Sequence, residues 1–291
     1  MRPVMPPNAN PHAPRYKLPS GACDCHLHVY GPFERYPLVA ERGYDPDPHS
    51  TLDDYLQTHR ALGLERAVIV TGSGNGTNNR ITLDALKRMN GAFKGLALLD
   101  PVITDAQLRE LKDGGFSGFR IKANGRGGLS FEQSRRMIER SAGFDWHVEF
   151  MSQSMAEVIA TVPFLNSLKV PYLFDHVAHA EPHMTRENSE FADLLTILGN
   201  QEHAWINLYS FYQLSKSGPP DYHDMVDVIQ TIVANRSDNI VWGSNWPHGG
   251  VPVPMPDDGD LLDFLVSAVP DETTRNAILA ANPAKLYGWP A

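Results

Sequence analysis

The chain has 291 residues, 25 basic against 34 acidic side chains and a formal net charge of -9, with 42% hydrophobic and 20% charged residues. This composition excludes a disordered, collagen-like or coiled-coil chain, and an acidic balance without a dense Lys/Arg run leaves no footprint for a nucleic-acid partner. A chain of this length buries roughly 75% of the surface it exposes when unfolded and forms one domain by default.

Residues 1–20 form a Pro-rich extension: "MRPVMPPNANPHAPRYKLP" carries six prolines and no apolar signal-like core. No run of about 18 apolar residues follows, so no membrane partner is expected and the protein is expected to be cytoplasmic. Cys23 and Cys25, the two cysteines, would sit about 7 Å apart on a strand, at the upper limit for a disulfide. They are read as reduced.

From residue 21 to 291 the pattern is that of a single domain. Short apolar runs occupy 22–30, 66–72, 94–99, 116–121, 146–151, 170–176, 204–210 and 239–244, with helical patterns such as "NNRITLDALKRMNG" between them. Eight such βα units predict an α/β fold, a closed (β/α)8 TIM barrel. An open nucleotide-binding sheet would carry G-x-G-x-x-G after its first strand, and "TGSGNGTNN" does not match. In a barrel of this kind the site lies where the strands end. The candidates there are His26 and His28, Ser73 to Thr77, Asp100, Arg120 with Arg126, Met151 to Gln153, Asp175 with His176, Tyr209 to Gln213, and Asn245 with His248.

In the first strand, alternation puts Asp24, His26 and His28 on one face and Cys23, Cys25, Leu27 and Val29 on the other, toward the helices. The two histidines could bind a metal or donate hydrogen bonds to a carbonyl oxygen. A metal needs three or four ligands with some negative charge. Beyond these two, the sequence offers His176 and either Glu149 or His147, and strand 8 contributes only an uncharged amide. No metal or other cofactor is therefore expected. Two arginines at a barrel mouth suit a carboxylate, which a planar guanidinium grips with two parallel bonds.

"GACDCHLHVYGP", "VIVTGSGNGTNN", "GFRIKANGR", "LFDHVAHAEP", "VWGSNWPH" and "NPAKLYGW" occur in this order. Together they resemble the amidohydrolase superfamily, in the branch of 2-pyrone-4,6-dicarboxylate lactonase, sulfomuconolactone hydrolases and galactarolactone isomerase. The resemblance implies a metal-independent hydrolase that opens a carboxylate-bearing lactone, of the pyrone or muconolactone kind met in aromatic degradation. It implies that His26, His28 and His176 polarise the lactone carbonyl. Arg120 and Arg126 would bind the substrate carboxylate, and Ser73 and Tyr44 would add further contacts; independently of the resemblance, "GSGNGT" after the second strand offers Thr77 as a hydroxyl donor for an anion. Where the branch has a tyrosine and a third arginine, this chain has Met151 and Gln213. Fewer cations favour a lactone with one carboxylate or a different ring.

The branch's catalytic aspartate falls at Asn245. An amide cannot take the proton from water, a step worth about 10²- to 10⁴-fold in rate. The first expectation is an engineered replacement that arrests the enzyme. The rival is a natural variant that uses another base, His248 or His28, or that binds without turnover. A lactone isomerase or decarboxylase on the same barrel is the alternative activity.

Overall fold

The structure, a computed structural model, describes residues 4–122, 128–251 and 254–290. Among the described residues the eight apolar runs become eight parallel strands, hydrogen-bonded in chain order: β1 Cys23–Leu27, β2 Arg66–Val70, β3 Phe93–Ala97, β4 Phe116–Lys122, β5 His147–Met151, β6 Tyr172–Phe174, β7 Ala204–Leu208 and β8 Ile240–Trp242. The longer helices between them are α1 Leu52–Leu62, α2 Arg80–Met89, α3 Asp105–Asp113, α4 Phe131–Arg140, α5 Met155–Ser167 and α6 Ser189–Asn200. After β7 come the short α7 Phe211–Leu214 and then α8 Val226–Asn235; after β8 come α9 Asp258–Ala268, α10 Glu272–Asn276 and α11 Asn282–Tyr287. This is a (β/α)8 barrel.

The first and last strands meet where Leu27 bridges Trp246. There His28 N donates to the Trp246 carbonyl and Asn245 N to the His26 carbonyl, each at 2.8 Å.

Alternation along the strands sorts the core into two clusters. Ile69, Phe119, Val148, Phe150, Phe174 and Ile206 join the apolar layer under the helices. Val68, Val70, Leu96, Leu173, Trp205 and Val241 form the smaller cluster that fills the barrel. Tyr287 of α11 belongs to this inner cluster. It donates to the Cys25 carbonyl at 3.4 Å and meets the His147 ring edge-on, so His147, at the start of β5, serves the closed end and not the mouth. Several helices begin with reciprocal caps. Thr51 with Asp54, Thr104 with Gln107 and Ser130 with Gln133 each satisfy orphan N–H groups, a device worth about 1 kcal/mol apiece.

The expected face assignment of β1 needs correction. Cys23 and Cys25 lie in the inner cluster, not under the helices, and both are free thiols. Asp24 points outward, accepting from the Tyr55 hydroxyl of α1 at 3.0 Å. The pairing of β1 with β2 shifts register between Asp24 and Leu27, and this irregularity breaks strict alternation. Within it, His26 turns inward, stacked on Tyr209 with ring centroids 4.0 Å apart.

Asp24 ties β8 to β1. It accepts from Ser244 N at 2.9 Å, Ser244 Oγ at 2.5 Å and His26 N at 3.1 Å. Burial pushes its carboxyl up to about 6, and these donors hold it below where burial alone would put it. The N-terminal extension is fastened to the start of α9: Asn8 Nδ2 donates to Asp257 at 2.8 Å, and His12 Nε2 lies 2.9 Å from Asp260.

Ser244→Ala removes a donor from a buried carboxylate and the acceptor for Trp246 N. It should lower unfolding free energy by about 1.5 to 3 kcal/mol in urea titrations at neutral pH. A loss under about 0.5 kcal/mol, the ordinary cost of an inconsequential surface change, would mean that Asp24 does not anchor β8.

Candidate active site

The C-terminal ends of β4, β5 and β6 bring three charged side chains together out of water. Arg120 is 5% exposed, and Glu149 and Asp175 are fully buried. Arg120 Nε lies 3.0 Å from Glu149 Oε1; its Nη2 pairs with Asp175 Oδ2 and donates to the Tyr209 hydroxyl at 3.2 Å. One guanidinium cannot neutralise two carboxylates. Burial pushes Glu149 up to about 7 and Asp175 up to about 6, while Arg120 draws both back down. Burial works against the guanidinium charge as well, but Asp175 and Glu149 outweigh it and hold Arg120 protonated.

His26, Glu149 and Asp175 converge closely enough to ligate a metal ion. Arg120 stands among them and already supplies the positive charge, so this donor set does not fit a metal.

Three imidazoles ring the cluster. Burial, then Arg120, lowers His26 to about 3; burial first, then neighbouring basic side chains, holds His28 and His176 well below the ordinary range. All three are neutral. His26 Nδ1 lies 3.1 Å from Glu149 Oε2, and its Nε2 is buried without a hydrogen-bond partner among the described residues. With Glu149 ionised, Nδ1 carries the proton and Nε2 is a bare lone pair; with Glu149 protonated, the ring can exchange tautomer and present Nε2–H. His28 differs. Its Nδ1 lies 2.8 Å from the Val70 carbonyl, which can only accept.

His176 opens a run of four residues, His176 to His179, with φ between 50° and 60°. Left-handed backbone costs L-residues roughly 1 to 2 kcal/mol each, and it persists only where surrounding packing imposes it. Here Val177 and Ala178 are fully buried, and the His176 and His179 rings stack 5.8 Å apart. His176 Nδ1 reaches the Tyr209 hydroxyl at 3.4 Å.

Asn245 is also left-handed, with φ of 66°, a conformation that asparagine accepts readily. Its Nδ2 donates to the Tyr212 hydroxyl at 3.0 Å. That hydroxyl lies 2.8 Å from His248 Nδ1, and His248 Nε2 lies 3.0 Å from Asp258 Oδ1. The directions run consistently: His248 donates to the carboxylate through Nε2, accepts the Tyr212 proton at Nδ1, and leaves the phenolic oxygen to accept from the amide.

The other predicted residues are dispersed. Tyr44 is half-buried and shares a 2.8 Å hydrogen bond with Tyr30. Ser73 opens a short turn after β2, and Thr77 is exposed and turns to Asp100 at 3.5 Å. Met151 ends β5, and Gln213 donates to Ser210 at 3.0 Å. Arg126 lies outside the described residues.

Two contributors escaped the sequence reading. Lys122, two residues beyond Arg120 on β4, is lowered by burial and then by Arg120, and it has no anionic partner among the described residues. Strand periodicity could have found it. Asp258 could not have been found that way, because its role arises from α9 meeting the loop after β8.

Neutral histidines, a buried carboxylate pair and a polar loop after β8 thus gather at the strand ends of a parallel barrel. The amidohydrolase family model matches residues 23–289, and the chain belongs to that family. It is 34% identical to a 4-sulfomuconolactone hydrolase of Hydrogenophaga intermedia, over 94% of this chain and 91% of that one. It is 32% identical to a 2-pyrone-4,6-dicarboxylate hydrolase of Comamonas testosteroni, over 97% and 94%. An apo crystal structure from Agrobacterium tumefaciens superposes with a TM-score of 0.83 at 27% identity, covering 94% of this chain and 98% of that one.

Arg120→Met would leave Glu149 and Asp175 buried without their cation, at a cost of about 3 to 5 kcal/mol. A carboxyl raised in the folded state contributes stability at low pH and loses it as pH rises through its folded value. The variant should therefore lose more stability at pH 8 than at pH 5, as read by thermal melts at both. An equal loss at the two values would mean that the pair does not titrate as described.

Proposed function

We propose that the protein opens the ring of a carboxylate-bearing lactone by adding water, without a metal. The observation that carries this reading is the grouping of three neutral imidazoles, His26, His28 and His176, around the Arg120 guanidinium at the strand ends. A neutral imidazole can donate to a carbonyl oxygen or accept from water, the two services that ester opening needs. Arg120 supports the metal-free form of the reaction, since it supplies a fixed positive charge among the residues that would otherwise ligate an ion. The similarity to the sulfomuconolactone and pyrone-dicarboxylate hydrolases supports the choice of lactone.

The substrate carboxylate would lie against Lys122 and the side of Arg120 not taken by Glu149 and Asp175, with Arg126 as a further cation. His26 and His176 would donate to the lactone carbonyl, His26 in the tautomer that protonated Glu149 allows. Ser73, Tyr44, Met151 and Gln213 would bound the ring, with Thr77 at its outer margin.

The hydrogen bonds at Asn245 favour the natural-variant reading over an arrested enzyme. Its amide donates to a tyrosine whose own proton is committed to His248. A carboxylate in its place would compete for that proton.

Incubation with carboxylated lactones in heavy-oxygen water tests the proposal. One labelled oxygen should enter the carboxylate of the opened acid, and Asn245→Asp, run alongside, should gain less than about tenfold in kcat. An unlabelled rearranged ring would identify an isomerase, and loss of carbon dioxide a decarboxylase. A silent parent beside an Asn245→Asp variant at least about 10²-fold faster would restore the arrested-enzyme reading.

A further inference from the structure

We infer that His28 Nε2 is the group that accepts the proton from the attacking water. The inference rests on the lactone-opening reading and deepens it, because it assigns the service that Asn245 cannot perform.

The argument starts from a partner that cannot donate. His28 Nδ1 lies 2.8 Å from the backbone carbonyl of Val70 on β2, so in a neutral ring the proton is on Nδ1 and Nε2 carries the lone pair. This tautomer is pinned by main chain, and no side-chain protonation reverses it. His28 is therefore excluded as a donor to the lactone carbonyl and left as an acceptor.

Its neighbour answers to a different partner. His26 bonds to Glu149, which can itself hold a proton, and it is fully buried. His28 keeps 9% of its surface exposed, and its Nε2 makes no hydrogen bond among the described residues. His28 therefore keeps an edge open to water, whereas His26 is sealed. The two rings meet edge-on, 5.0 Å between centroids, so a lactone carbonyl beside one has its attacking water beside the other.

The groups that face His28 are His26 on its own strand, Arg120 and Lys122 on β4, and His176 beyond β6, which senses His28 in turn. Burial, then the His26 ring and the Arg120 and Lys122 cations, depress its basicity. A substrate carboxylate seated beside Lys122 and Arg120 offsets that field and makes His28 a stronger base once the substrate is bound.

In the reaction the water oxygen bonds to the lactone carbonyl carbon as one water proton passes to His28 Nε2, and the carbonyl π electrons move to oxygen. The tetrahedral carbon then expels the ring oxygen. Its C–O bond breaks, the oxyanion reforms the carbonyl, and the leaving oxygen takes the proton back from His28. The product is a hydroxy acid that loses its acid proton to solvent. The Nδ1–H bond to Val70 persists throughout and stabilises the transient imidazolium.

The test has two readouts on the full chain. In kinetics with a carboxylated lactone, His28→Ala should lose at least about 10²-fold in kcat with a smaller change in KM, should lose the acid limb of the pH profile, and should recover about tenfold with added imidazole. In nitrogen NMR of histidine-labelled protein, His28 should carry its proton on Nδ1 and a bare lone pair on Nε2. A His28→Ala enzyme within threefold of the parent, or a proton found on Nε2, would overturn the proposal. A parent that leaves every lactone intact would overturn the lactone reading instead, and the NMR spectrum would then decide the His28 tautomer by itself.

Discussion

The Arg120 guanidinium, buried between Glu149 and Asp175, is the interaction on which the rest of the site depends. A desolvated carboxylate costs several kcal/mol unless paired, and here two carboxylates from neighbouring strands share one cation. Their competition sets the surroundings. Burial and Arg120 together set the Glu149 proton, which governs the His26 tautomer, while burial first and the positive charge second keep all three imidazoles unprotonated. The guanidinium thus places a fixed positive charge among the side chains that converge there.

Around this centre the barrel imposes conformations that the sequence would not choose locally. The left-handed run from His176 to Val177 and onward to His179 survives because its middle residues are sealed in the core, and it leaves the His176 and His179 rings stacked on one another. Asn245 and His248 are bent in the same sense. The closure of β8 onto β1 through Asp24 and Ser244 keeps that loop within reach of His26 and His28. Stability and function thus meet at the same seam.

Much of this was legible in the sequence, for identifiable reasons. Strands such as "RAVIV" and "AWINL" announce themselves because they are buried on both sides and flanked by amphipathic helices, so all eight were readable. His26, His28, Arg120 and His176 were readable because they end such strands. What escaped depended on events that a local pattern does not encode. The register shift in β1 reversed the faces of Cys23, Cys25 and Asp24. The pairing of Arg120 with Glu149 and Asp175 joins residues far apart in the chain. The roles of His248 and Tyr212 depend on Asp258, which only tertiary folding delivers.

The central claim is that a guanidinium, and not a metal, supplies the positive charge in the barrel throat. Metal analysis of the purified protein, paired with lactone turnover on the same sample before and after exhaustive chelation, tests it most directly. The account predicts far less than one transition-metal ion per chain and an unchanged rate. One tightly held zinc or manganese per chain, with turnover lost on its removal and regained on its return, would contradict it.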